Sequence, residues 1–278
     1  MNVAWWCAAG GGPWTWEPQA YPGVWLFQAA LLAAWAIPIL RRRARGEPGA
    51  TRSEAVSFLV GWAFLWATLD WPLGALGAGY LLLGHMLQFV MILWVLGPLL
   101  EAGLPTWMRR ALFAARPAAP LRWIVVRPFR AFVLFNVVVV VTHVPIVADT
   151  LKPLQLGSMA IDIAWIVSGL LFWLSISPRE TTPQAPGRLE VVYGRRLLYV
   201  VGIKILPILI GAFYVFADYP LYRTFELAPR VFADFSAFED QVLAGWLMWA
   251  GTTPFLVWRF GAAFFAWHEL ETRRAGEV

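Results

Sequence analysis

A single cysteine in 278 residues means that no disulfide can close within this chain. Charge is scarce as well: Asp, Glu, Lys and Arg make up 14% of the residues, well below the quarter or so that a water-soluble surface normally carries. That excludes an ordinary soluble domain. No glycine-rich phosphate loop, internal repeat or coiled-coil heptad is present. The stretch MNVAWWCAAGGGPWTWEP lacks a basic start and is broken by Gly and Pro before an apolar run develops, so no cleavable signal peptide is expected. A nucleophilic hydrolase is unsupported, because no Ser or Cys accompanies a histidine at the right depth. Cys7 reads as a small residue near a mobile terminus, with a metal-relaying thiol as the alternative.

What the chain has in excess is apolar surface. It is 60% hydrophobic with a mean hydropathy of +0.62, and the polar stretches between its apolar runs are too short to bury a core of their own. The expectation is an all-α integral membrane protein forming one membrane domain over residues 1–278. Seven segments approach the roughly 20 residues that a spanning helix needs. They are 23–40, 54–69, 80–100, 131–148, 157–177, 197–217 and 241–266. Helices are required, since an open strand would leave backbone groups unpaired in hydrocarbon.

The pI of about 9.7 is not a nucleic-acid signal, because the basic residues flank the apolar runs. Arg41, Arg42, Arg43, Arg45 and Arg52 follow the first span; Arg109, Arg110, Arg116, Arg122, Arg127 and Arg130 follow the third. Arg179, Arg188, Arg195 and Arg196 follow the fifth, and Arg273 and Arg274 come last, against only Lys152, Arg223 and Arg230 in the other loops. The positive-inside rule makes the arginine-rich side cytoplasmic, with the N-terminus outside and the C-terminus inside. Trp14, Trp16, Trp25, Trp71, Tyr219 and Tyr222 fall where an outer aromatic belt is expected. TWMRRALFAA (106–115) reads as a short interfacial helix with Arg109, Arg110 and Arg116 toward lipid headgroups. The stretch 178–194 reads as a polar connector, and Lys204 as a lysine reaching for the cytoplasmic face.

Three polar residues share one depth. His85 lies about five residues inside its span, His143 about five before the outer end of the next, and Asp162 about five inside the one after, roughly 7–8 Å below the outer boundary at 1.5 Å per residue. Ionisable groups inside spans normally face the bundle interior and mark functional sites. Met86 and Met159 lie near them, Met248 sits early in the last span, and Asp70 and Asp149 stand at outer ends. Imidazole with thioether suits copper, above all Cu(I), whereas imidazole with carboxylate also suits Zn(II) or Cu(II). The alternatives are a b-type haem between His85 and His143, or helix-bridging polar groups with no ligand, as Gln88 suggests by its position.

The segments DWPLGALGAGYLLLGHMLQF (70–89), GPLLEAGLP (97–105), FNVVVVVTHVPIVAD (135–149), GLLFW (169–173) and EDQVLAGWLMW (239–249) resemble, in order, the motif blocks of the CtaG family of cytochrome c oxidase assembly factors. The resemblance implies a seven-span accessory protein, not an enzyme, that serves a haem-copper oxidase through copper supply on the outer side. It places the family's motif histidines on His85 and His143, its aspartate on Asp149, and its last block on Gln241, Gly245, Met248 and Trp249. Two positions depart from the family pattern: Phe89 and Asp162 stand where many members have histidine. The site is then weaker, or prefers Cu(II), or the scaffold serves protein contact. The outer loop 217–241, aromatic and acidic, is the expected contact surface for an oxidase subunit or the lipid interface.

Overall fold

The computed structural model describes residues 4–10, 12–176 and 186–275, and among these there is helix but no strand. In chain order the helices are α1 (Pro22–Ala44), α2 (Arg52–Leu69), α3 (Leu73–Gly79), α4 (Leu82–Val90), α5 (Gly97–Gly103), α6 (Thr106–Ala114), α7 (Ala119–Val125) and α8 (Pro128–His143). There follow α9 (Pro145–Leu151), α10 (Gln155–Ser175), α11 (Pro186–Phe216), α12 (Arg223–Glu226), α13 (Ala237–Trp246) and α14 (Thr253–Ala275). Two π-helical stretches, Met91–Leu96 and Leu247–Gly251, join α4 to α5 and α13 to α14.

Local chemistry sets the ends. Thr51 accepts from the Glu54 N–H at 3.2 Å while the Glu54 carboxylate accepts from the Thr51 N–H at 2.9 Å, a capping box that starts α2. Ser236 and Glu239 start α13 in the same way. Pro128 opens α8 at a position where its missing N–H costs nothing.

Four helices are long and apolar enough to cross a membrane, namely Pro22–Ala44, Leu82–Gly103, Gln155–Ser175 and Leu197–Phe216. Two bent pairs bring the number to six: α2 with α3, at 47°, and Arg116–Val125 with α8, at 93°. The stretch expected as a seventh span, 241–266, is divided by its π turn and is not among them. Val137, Val140 and Val141 of α8 and Ile205, Leu209 and Phe213 of α11 are exposed, a surface that only lipid suits, so this is a helical membrane protein.

The π turn after α4 is held by two of the sequence blocks together. The Gly97 N–H reaches back to the Ile92 carbonyl, and Pro98 has no N–H to offer the next one. The Leu93 carbonyl is therefore orphaned, and the Trp173 indole of α10 donates to it at 2.7 Å. Gly97 is required here, since a Cβ would run into the Trp173 ring. On the far side, α11 and α13 touch at Gly211 and Gly245, where a Cβ on Gly245 would lie 2.7 Å from the Gly211 carbonyl oxygen.

Several expectations change. Arg109 is 1% exposed, its guanidinium donating to the Glu101 carboxylate at 2.6 Å and to the Leu104 carbonyl at 3.1 Å. It locks α6 onto α5 instead of facing headgroups, while Arg110 and Arg116 are exposed. The connector expected at 178–194 is helical from Pro186 onward; Arg179 and the side chains of Arg188, Arg195, Arg196, Arg273 and Arg274 lie outside the described residues. Lys204 is buried, and its ammonium donates to the Thr253 hydroxyl instead of extending to an aqueous face.

Candidate functional site

The site lies at the end of the bundle opposite the arginine-rich loops. Helix α4 enters it after the break at Tyr80–Leu81, and its first two N–H groups, on Leu82 and Leu83, are taken by the Asp240 carboxylate of α13 at 2.6 and 2.9 Å. That clamp fixes α4 three residues before His85. One turn further, the Gln88 amide donates to the Thr68 carbonyl of α2 at 2.8 Å, the helix-bridging role its position suggested.

His143 closes α8, because Pro145 cannot continue the helix. Its Nδ1 lies 2.7 Å from the Val139 carbonyl, which can only accept, so Nδ1 carries the proton and Nε2 keeps its lone pair in the neutral ring. The His143 carbonyl, freed by the helix break, accepts from the Tyr222 hydroxyl at 2.6 Å, and Tyr222 in turn pairs with the Tyr214 hydroxyl of α11. Tyr222 is 1% exposed, so it is a support for His143 and not part of an outer belt, and burial pushes its phenol above the ordinary range.

The two imidazoles meet. Their ring centres are 6.0 Å apart, with the Trp165 ring of α10 at 4.8 Å from His85 and 5.7 Å from His143. Phe89 lies 4.8 Å from His143, and Phe225 of α12 lies 5.8 Å from His85. Both nitrogens of His85, and Nε2 of His143, are buried without a hydrogen-bond partner, apart from a loose approach of His85 to the Gly77 backbone.

Asp162 has other partners. Its carboxylate accepts from the Trp6 indole at 2.9 Å and sits 3.6 Å from the Lys152 ammonium, which also reaches the Ser158 hydroxyl at 3.4 Å and lies 5.7 Å from the Trp165 ring centre. The layer seen in the sequence is thus two units, an imidazole pair and an ion pair, with Trp165 between them. Asp149 accepts from the N–H groups of Arg223 at 3.1 Å and Thr224 at 2.9 Å, so it holds the start of α12. Met86 and Met248 are fully buried and Met159 is half-buried. Among the described residues, no three His, Cys, Asp or Glu side chains gather in a metal-binding group.

The segment before α1 covers this end. Trp5 and Trp6 both direct backbone N–H groups at Gln155, at 2.8 and 3.3 Å, and the Ala9 N–H donates to the Lys152 carbonyl at 3.0 Å. Cys7 is not at a mobile end: it is 2% exposed, donates to the Leu69 carbonyl at 3.3 Å, and burial pushes its thiol well above the ordinary range. Sequence reasoning missed Trp6, Lys152, Trp165, Tyr222 and Asp240. Two of these carried a signal: Trp165 follows Asp162 by three residues on one helical face, and Asp240 lies within the block EDQVLAGWLMW (239–249).

No curated protein and no solved structure matches this chain. The sequence model of a cytochrome c oxidase caa3 assembly factor family matches residues 31–269, a range that contains both histidines and every motif block. The chain belongs to the cytochrome c oxidase caa3 assembly factor (Caa3_CtaG) family.

Proposed function

We propose that this assembly factor receives a copper ion between His85 and His143 at the extracytoplasmic side of a bacterial plasma membrane and passes it to a haem-copper oxidase subunit. The observation that carries the reading is the pair itself: two imidazoles from different helices, ring centres 6.0 Å apart, with buried nitrogens that have no close hydrogen-bond partner beyond the loose approach of His85 to the Gly77 backbone. Buried polar atoms left without partners are uncommon and call for an explanation such as an ion. Bonds of about 2 Å to two imidazole nitrogens put ring centres roughly 6 Å apart in a linear arrangement. Imidazole and thioether donors suit Cu(I); Met86 is buried next to His85 on α4, and Met248 is buried in the π turn that follows α13. Asp162, engaged by Lys152 and Trp6, sets the charge beside the pair and is not needed as a ligand.

The orientation rests on the arginine-rich loops, which put the histidines at the outer leaflet. The seven-span reading adds α13, its π turn and α14 to the six candidate spans. Aromatic rings on all sides of the histidines leave a small ion more room than a porphyrin.

The test is metal analysis with an optical spectrum on detergent-purified protein. The expected result is about one copper per chain in the parent and none in His85→Ala/His143→Ala, with a matching drop in the copper content of the oxidase. Unchanged copper in the double variant overturns the reading, and reduced pyridine haemochrome bands replace it with haem.

A further inference from the structure

The segment preceding α1 seats on the Lys152–Asp162 pair, beside the Trp165 ring that touches both imidazoles, and its contacts are those of a strap. Trp6 is buried with its indole on Asp162, the backbone of Trp5 and Trp6 is held by one Gln155 amide oxygen, and Ala9 is held by the Lys152 carbonyl. Ala9 and Gly10 also wall a polar cavity of about 440 Å³, whose other walls include Gly79, Asp149, Arg223 and Thr224. The residue after Thr224 is Phe225, which packs on His85. Phe225 thus links the chain that walls this cavity to His85, and Ala9 and Gly10 are the part of the wall that belongs to the strap. Its latch is concentrated: one indole and two backbone N–H groups reach a carboxylate and an amide on the same helix, α10.

We propose that this strap is a gate for the histidine pair, closed by Trp6 on Asp162 and by Trp5 and Trp6 on Gln155, and opened to admit the copper ion. The inference rests on the copper reading for what passes through the gate, but the gate itself is tested without metal. Cys7, the only cysteine of the chain, sits on the strap as a built-in reporter. Its burial and its raised thiol both make it slow to react while the strap is seated.

The experiment follows the labelling rate of Cys7 with a charged maleimide on the full chain in detergent, alongside uptake of Cu(I) from a coloured chelator. Trp6→Phe keeps an aromatic ring, smaller than the indole, but loses the donor, and Gln155→Ala removes the acceptor of two N–H groups, so the second variant serves where the first fails to fold. Each is expected to speed labelling at least tenfold over the parent and to speed copper uptake with it. Labelling of the parent as fast as a free thiol, or equal rates in parent and both variants, overturns the gate. Faster labelling with no copper taken up by any form keeps the gate and discards the copper reading.

Discussion

Replacing Asp162 with Asn removes the counter-charge from an ammonium that is 1% exposed. At 3.6 Å and an effective dielectric constant of about 20, the attraction being deleted is about 4–5 kcal/mol. The separation is longer than a tight charge-assisted hydrogen bond, and removing one partner of a buried pair typically costs about 3–5 kcal/mol, so about 3–4 kcal/mol is expected. For a chain of this size that is roughly 6–16 °C of melting temperature at about 2–4 °C per kcal/mol. Lys152→Met is expected to cost a similar amount by stranding the carboxylate. The double variant Lys152→Met/Asp162→Leu is expected to recover most of the loss, because a buried ion pair replaced by apolar groups is often neutral. The assay is thermal unfolding in detergent followed by circular dichroism of the helices, with copper content measured in parallel. A coupling below about 1 kcal/mol, or losses that simply add, refutes the reasoning. Stability unchanged with copper lost makes Asp162 a ligand instead.

Three further outcomes follow from the packing. Tyr222→Phe leaves the His143 carbonyl without its donor and is expected to cost about 1–3 kcal/mol, read as a lower melting temperature together with weaker copper retention. Gly211→Leu or Gly245→Leu drives a side chain into the opposing backbone and is expected to abolish stable folding, whereas Gly→Ala at either position is a milder loss, both read from detergent size-exclusion profiles. Glu101→Gln leaves Arg109 buried without its carboxylate and is expected to lower stability by about 3 kcal/mol, with copper content per folded chain unchanged.

The sequence disclosed the apolar runs, the helical class and the two histidines, because each is a local signal: length and hydropathy mark a span, and a polar side chain inside one stands out. It also disclosed the family, through blocks whose spacing survives in this chain. What it did not disclose is pairing across long separations. Lys152 looked like an ordinary loop cation until Asp162 and the strap enclosed it. Tyr222 looked like a belt residue, since nothing near it in sequence announces the carbonyl freed 79 residues earlier at His143. Arg109 looked like a headgroup contact, though its carboxylate lies only eight residues away, because the turn at Leu104–Pro105 folds it back. The third run is long and apolar enough to cross a membrane from Leu82 to Gly103 even with its π turn, whereas the runs at α2 and α8 reach that length only as bent pairs and the last run, interrupted at Leu247–Gly251, does not, irregularities of backbone that a hydropathy run does not show.

The wide turn at Met91–Leu96 separates two tasks that a straight helix would have to share. Above it, α4 aims His85 under the clamp of Asp240; below it, α5 carries Glu101, the anchor of Arg109. A turn holding one surplus residue lets the upper and lower halves point about 100° away from where uninterrupted winding would put them. Shortening that turn by one residue would tighten the winding and swing the imidazole out of register with His143 even though every ligand and every anchor remained in the chain. The histidine's bearing is thus written in the backbone eight residues below it, at the spot where an indole from α10 holds an otherwise idle carbonyl.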